Sequence, residues 1–325
     1  MSDHIGPHVL KVGAVVLPRR PVATYSIVAR DTETGQLGVA VQSHWFSVGT
    51  VVPWAEAGVG AVATQSLADP SYGPLGLELM RAGRSAADTL VGLLASDVGR
   101  AVRQVAMVDA SGHVAAHTGE RCIDAAGHVV NKDLGVSCQA NLMASDRVWG
   151  AMMRAYEASL EDGRDLAERL VTSLEAAQAE GGDIRGKQSA ALIVVAGESS
   201  ARPWVDRLFD LRVEDHVDPL GELRRVLILQ RAYQHMNAGD SAIEAERFED
   251  AVNEYGAARE LAPHIVEMRF WTAVSLASVG RYEEAMPMFR EVFEQEPFWR
   301  DLLPKLVKCE LMPGKTANKV LAETA

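Results

Sequence analysis

Residues 24–43, TYSIVARDTETGQLGVAVQS, place two short apolar runs on either side of a polar stretch. The runs 26–29 and 37–41 read as strands. DTETG at 31–35 reads as their turn, because an aspartate side chain bonds back to following amides and glycine tolerates positive φ. A hairpin whose first strand opens on Thr24 is therefore expected. The same turn chemistry recurs at DASG (109–112) and DAAG (124–127), between QVAMV, HVAAH and HVV, so the hairpins extend into an antiparallel sheet.

Helical spacing interrupts these strands. Pro74 suits a first helical position after Gly73, and that helix is expected to stop at Gly83. Ser85 caps a second helix, with Asp88 three residues on and Leu90, Leu93 and Leu94 as its buried stripe. A third helix is expected from Ser145. Leu166, Leu170 and Leu174 mark a fourth, over 166–179, ended by Gly181 and Gly182. AALIVV at 190–195 is apolar at every position, which predicts a strand covered by helices on one face and a second sheet on the other. Strands and helices in blocks, joined by antiparallel turns, define an α+β layered domain.

The last third of the chain repeats itself. RFEDA (247–251) matches RYEEA (281–285), Tyr255 matches Phe289 and Pro263 matches Pro297, each pair 34 residues apart. That period resembles the tetratricopeptide repeat, with an alanine-centred second helix, a large residue four further on and a closing proline. Trp271 falls in the first helix of the second repeat. Two repeats are fewer than the ~3 that stack stably alone, so the segment is expected to lean on the first domain or on a second copy of the chain. The expected organisation is a leader (1–23), a layered domain (24–215), a linker (216–228) and a small all-α helical-repeat segment (229–325).

Composition narrows the function classes. With 32 Lys and Arg against 44 Asp and Glu, the formal net charge of −12 argues against a nucleic-acid partner, which demands concentrated positive charge. No run reaches the ~18 consecutive apolar residues of a spanning helix, so no membrane partner is expected. Three cysteines, Cys122, Cys138 and Cys309, give neither a disulfide framework nor a paired metal motif, which suits a reducing cytoplasm. In the leader, the short apolar run VGAVVL follows an acidic residue and two histidines, and PVA is a poor cleavage site, so a secretory signal is disfavoured.

With Thr24 at the head of the first strand, TYSIVAR, a turn and GVAVQS resemble the opening hairpin of the N-terminal-nucleophile (Ntn) hydrolases. The wider set TYSIVARDTETGQLGVAVQS, VGAVATQSLADPSYGPLGLELM, HTGERC, CQANLM and GDIRGKQSAALIVV resembles one bacterial family assigned to that superfamily, the domain-of-unknown-function family ten twenty-eight. The likeness runs from about residue 24 to 195. It implies an α+β fold of a particular kind, a four-layer αββα sandwich with the nucleophile at the first residue of a strand. It implies no substrate.

The chemistry of that position is specific. A threonine hydroxyl is a poor nucleophile at neutral pH and needs a base within hydrogen-bond reach. When threonine is the first residue, its own α-amine, with a reference pKa of roughly 7.7–8.0, supplies that base. The resemblance thus implies cleavage between residues 23 and 24; otherwise Thr24 is an ordinary β-branched strand residue. Ser43, at the end of the second strand, either assists proton transfer or is a strand-end hydroxyl. Asn141, expected in a loop between the strand 135–138 and the third helix, either donates to an oxyanion or forms a turn. Arg121 either clamps a substrate carboxylate or is a solvated surface residue. Gln65, Arg185 and Gln188 complete the substrate-binding candidates, with Gly186 and Ser189 beside them; a bare turn explains the 185–189 group equally well.

His113, His117 and His128 offer a rival metal chemistry, but they lack a carboxylate pair and a ligand-motif spacing. No metal or other cofactor is expected. The leading reading is an amidohydrolase cutting an amide bond in a small molecule or peptide, forming a homo-oligomer, with the repeats available to a protein partner. The alternative is a catalytically inactive scaffold that keeps the fold and docks a partner through its repeats.

Overall fold

The computed structural model describes residues 24–324, together with the backbone of two antiparallel two-residue strands, Lys11–Val12 and Val15–Val16. The rest of the expected leader, and with it the bond between residues 23 and 24, lies outside the described residues. The chain divides into two compact units, Met1–Arg224 and Arg225–Ala325.

The first unit is a mixed α/β fold. β1 (Thr24–Arg30) and β2 (Leu37–Ser43) form the expected hairpin. The Asp31 Oδ1 atom accepts the amides of Glu33 and Thr34 at 2.9 and 2.7 Å, and Gly35 sits at φ 72°. β3 (Pro53–Glu56) and β4 (Gly60–Ser66) follow, then helices α1 (Tyr72–Arg81) and α2 (Ala86–Ser96). Next come β5 (Arg103–Asp109), β6 (Val114–Thr118), β7 (Gly127–Asn131) and β8 (Val136–Asn141). Helices α3 (Val148–Glu161) and α4 (Leu166–Ala179) precede β9 (Ser189–Val195) and β10 (Arg207–Val213). The strands make two antiparallel sheets, one ordered β10-β9-β2-β1-β8-β7 and one ordered β3-β4-β5-β6.

Both faces of the central strands are covered, which is why β1, β2, β4, β5 and β9 read as nearly unbroken apolar runs rather than alternating ones. Between the sheets lie Val28, Val39, Val41, Ala63, Ala106, Val108 and Ile193. On the other face of the smaller sheet, Val62, Val105 and Met107 meet Tyr72, Leu77 and Met80 of α1 and Leu90 of α2. On the other face of the larger sheet, Tyr25 donates its hydroxyl to Gln178 of α4 at 3.0 Å. Gly38 lets α4 come close, since a Cβ there would stand 2.5 Å from a methyl of Leu170.

Helix boundaries depart slightly from expectation. α1 begins at Tyr72, with Pro74 inside the first turn, where a missing amide costs nothing. Ser85 does cap α2, its Oγ accepting the Asp88 amide at 3.1 Å. α3 starts at Val148 rather than Ser145, whose Oγ instead accepts the Arg147 amide in the preceding turn. α4 spans the expected residues and is capped by Asp165.

The second unit is helical, and the boundary between units falls within α5 (Pro219–Glu244), which also runs through most of the segment expected as a linker. α6 (Phe248–Leu261), α7 (Val266–Ser278) and α8 (Tyr282–Gln295) follow. The repeated motifs open α6 and α8, and their equivalent residues, Ala251 and Ala285, Tyr255 and Phe289, are all buried. Trp271 lies in α7, as expected. Two further helices, α9 (Leu303–Lys308) and α10 (Gly314–Glu323), place Leu303, Leu306, Ala317 and Val320 in the same core as Phe289. They cover apolar surface that two repeats alone leave open. Among the described residues no helix is long and apolar enough to cross a membrane.

Arg103, at the head of β5, is fully buried and holds α1, β5 and the segment after α2 together. Its Nε donates to Asp97 Oδ2 at 2.8 Å; Tyr72 donates to the same oxygen at 3.0 Å and the Gly99 amide to Oδ1 at 2.7 Å. Burial pushes the Asp97 carboxyl up, but the Arg103 and Gly99 hydrogen bonds outweigh it and leave its pKa below the ordinary value. Asp97→Asn removes the nearer of two carboxylates from the buried Arg103 guanidinium, leaving Asp69 at 3.7 Å, and is expected to cost up to about 3–5 kcal/mol. Because the folded carboxyl is the depressed one, the stabilisation is complete above its unfolded value and lost as pH falls through the folded one. The wild-type protein therefore loses stability below about pH 4, while the variant responds less in that window. Hydrogen exchange of the α1 and β5 amides against pH checks both statements.

Candidate active site

Antiparallel pairing in the larger sheet lines up four residues at one end: Asn141 opposite Thr24, Thr24 opposite Ser43, and Ser43 opposite Ser189. Residues two apart on a strand share a face, so Thr24 and Ser26 point the same way as Val28, into the layer between the sheets. Gln139 and Asn141 on β8 do likewise. From the opposing sheet, Gln65 of β4 and Gln104 of β5, themselves a cross-strand pair, complete the group. Thr24, Ser26, Ser43, Gln65, Gln104, Gln139, Asn141 and Ser189 are all fully buried. The inter-sheet layer is thus apolar along most of its length and polar at one end.

Amides join the two sheets there. Gln65 Nε2 donates to the Thr24 carbonyl at 3.1 Å and to Gln104 Oε1 at 2.7 Å, and its Oε1 accepts the Ser26 hydroxyl at 2.7 Å. Gln139 Nε2 donates to Ser26 Oγ at 3.1 Å. Asn141 Nδ2 donates to Gln104 Oε1 at 2.9 Å. Gln104 Nε2 reaches Thr118 Oγ1 at 2.9 Å, the Gly127 carbonyl at 3.1 Å and the Ala140 carbonyl at 2.9 Å. These eight residues include no ionisable side chain, so any charge at this end has to come from elsewhere.

Of the seven candidates from the sequence, Thr24, Ser43, Asn141 and Gln65 come together in this network. Asn141 is the last residue of β8 rather than a loop residue, because the strand continues three positions further than its apolar run. Gln188 adjoins it: its amide donates to the Ser43 carbonyl at 3.2 Å, while its side chain turns to Asp215 at 3.2 Å. Arg185 pairs with Asp183 through two nitrogens, at 3.1 and 2.8 Å, and Asp183 also accepts the His44 amide at 3.0 Å, just past Ser43. Arg121 stays apart; it is exposed, and its backbone amide bonds the Ala101 carbonyl at 2.7 Å. Ser26, Gln104, Gln139 and Asp183 are participants that the sequence reading passed over. For Gln104 and Gln139 the signal was a polar residue near one end of an apolar strand, in RQ (103–104) and QAN (139–141).

The histidines separate. His113 bonds Asp109 at 3.1 Å, His117 the Arg100 carbonyl at 2.8 Å and His128 the Thr118 hydroxyl at 2.8 Å. Among the described residues no group of three His, Cys, Asp or Glu is placed to hold a metal ion. Thr118, Gly127 and His128, with Glu120, Asp124 and Trp149, also wall a cavity of about 440 Å³, so Gln104 bridges that cavity and the buried row.

Two opposed antiparallel sheets with a polar end built around the first residue of a central strand define the class of fold. By sequence, residues 24–223 match the family of unknown function DUF1028, and the chain belongs to that family. Residues 236–297 match a tetratricopeptide repeat. The first unit's likeness extends to a solved structure, the crystal structure of protein SPO2555 from Silicibacter pomeroyi, described with the same family. It is 30% identical, covers 68% of this chain and 92% of its own, and superposes with a TM-score of 0.56. No curated protein matches the chain.

Gln104 makes the sharpest test of the network. Gln104→Met removes the shared acceptor of the Gln65 and Asn141 side-chain amides in a dry layer, where each unpaired group costs about 1–3 kcal/mol. A loss of at least about 2 kcal/mol is expected from hydrogen exchange of the β1 and β5 amides. Met107→Leu, on the other face of β5, should cost under about 1.5 kcal/mol.

Proposed function

We propose that the first unit is an Ntn-type amidohydrolase, an αββα sandwich that cuts an amide bond in a small molecule or peptide after its leader is removed before Thr24. The observation that carries the reading is the register that sets Asn141, Thr24 and Ser43 side by side across three central strands, with Thr24 first in its strand. The family match, too, begins at Thr24. Helices on the outer face of each sheet and polar side chains at one end of the inner layer suit the same reading.

In this mechanism Thr24 Oγ attacks the acyl carbon while its proton passes to the α-amine nitrogen of the same residue. The carbon–nitrogen bond then breaks, the proton goes to the departing nitrogen, and a threonyl ester remains. Water hydrolyses that ester with the same amine as base. Asn141, clamped by Gln104, is the preorganised polar group beside the nucleophile, and Ser43 on the other flank can relay a proton. The substrate enters from the side of the cavity beyond Gln104. The helical unit offers a separate docking groove of about 500 Å³, where Met236, Ile243 and Trp271 lie beside Asp240 and Glu267.

One observation favours a second reading. Thr24 is fully buried, so in an uncleaved chain no substrate reaches its hydroxyl, and such a chain would act as a scaffold that docks a protein through its repeats.

Intact-mass spectrometry of the protein from its native host separates the two. A species starting at Thr24 supports the hydrolase; a chain that keeps its leader supports the scaffold. In a cleaved preparation, Thr24→Ala is expected to lower turnover of a chromogenic amide panel by at least about 10⁴-fold without loss of folding. Retained turnover would remove Thr24 as nucleophile.

A further inference from the structure

The orientation of Asn141 is determined by its neighbours, and it leaves one atom unaccounted for. Two of the three groups that accept from Gln104 Nε2 are backbone carbonyls, those of Gly127 and Ala140, which cannot donate. Turning the Gln104 amide over would set oxygen against oxygen at both, so Gln104 Oε1 must face Gln65 and Asn141. Gln65 agrees independently: its nitrogen also serves the Thr24 carbonyl and its oxygen receives the Ser26 hydroxyl. Asn141 therefore presents Nδ2 to Gln104. Its Oδ1 is buried and has no hydrogen-bond partner among the described residues. A buried carbonyl oxygen without a donor is unusual in a folded protein and calls for an explanation.

We propose that this oxygen is the seat of the Thr24 α-ammonium group, so that Asn141 is a positioning residue for the terminal amine and Gln104 is the residue that fixes its polarity. The inference rests on the hydrolase reading and assigns a role within it. Asn141 stands opposite Thr24 in the ladder, so the two residues are direct cross-strand neighbours whose side chains share a face. Cleavage before Thr24 replaces a peptide N–H, which has one donor, by an ammonium with three, and so creates the donor that Oδ1 lacks. Holding the amine there also steers its lone pair, once neutral, to the Thr24 hydroxyl. Asn141 then acts chiefly as an acceptor, a role opposite to the oxyanion donor expected from the sequence.

The groups that would perturb such an amine are few. Its own network has no ionisable member. The adjoining titratable groups include the Asp183–Arg185 pair beyond the end of β2, Arg103 beside Gln104 at the head of β5, His128 on the Thr118 hydroxyl, and Tyr25, which faces α4 from the opposite side of β1. A carboxylate at position 141 would therefore be the one charge in direct contact with the amine.

The test is the pKa of the Thr24 α-amine in the purified full-length gene product, read by NMR after reductive methylation with ¹³C-formaldehyde, with intact mass recorded on the same samples. Asn141→Asp is nearly isosteric and should raise that pKa by about one unit or more, since an opposite charge at contact favours the ammonium. Asn141→Leu, which removes the acceptor, should lower it. If either variant fails to fold, Asn141→Ser, which is smaller and keeps a hydroxyl, should move the amine less than Asn141→Leu would, and still downward. A chain cleaved before Thr24 whose amine titrates identically in all folded variants overturns this assignment and leaves the hydrolase reading standing. A chain never cleaved in any variant overturns both.

Discussion

The pairing of β1 with β2 on one side and β8 on the other constrains everything else in the first unit. A slip of one residue would turn Thr24, Ser26 and Val28 towards the helices and bring Tyr25 and Ile27 into the layer between the sheets. Both faces are dry, so hydrophobicity alone does not forbid that slip. What forbids it is matching: Tyr25 finds its partner in Gln178 on the helix side, while Ser26 finds Gln65 and Gln139 between the sheets. The buried polar groups thus specify a register that an all-apolar layer would leave degenerate.

The same groups make the polar end demanding. Eight amide and hydroxyl side chains lie within a low-dielectric layer, where a satisfied hydrogen bond is strengthened and an orphan is penalised. Gln104 concentrates this dependence, because its nitrogen draws together β6, β7 and β8 while its oxygen receives side chains from β4 and β8. Such rigidity suits a site in which a nucleophile and its base must be held in one geometry. The Asp97–Arg103 pair lies at this same end, one residue from Gln104, and ties the smaller sheet to α1 and the segment after α2.

The helical unit is held by a different logic. Small residues, Ala251 and Ala285, let paired helices approach, and Tyr255 and Phe289 fill the space one turn on. Each hairpin buries one face on the next. The pair α9 and α10 continues that stacking beyond the segment where the 34-residue period is visible. Capping elements need only an apolar inner face, so their sequence is free to depart from the repeat.

Much of this was legible in the chain itself. Local physics sufficed for the Asp31 and Asp109 turns, the Ser85 cap, the boundaries of α4 and the 34-residue period, because each depends on residues within a few positions of one another or on a repeated pattern. Thr24 was legible as the start of a strand. The strand end at Asn141 was not, because polar residues at a strand terminus look like a loop until a neighbour supplies their partners. Nor was the choice of Gln104 over any other glutamine, since its partners lie on four different strands. Hydrogen bonds between sheets join residues far apart in the chain, and only the folded arrangement decides which buried polar side chains meet.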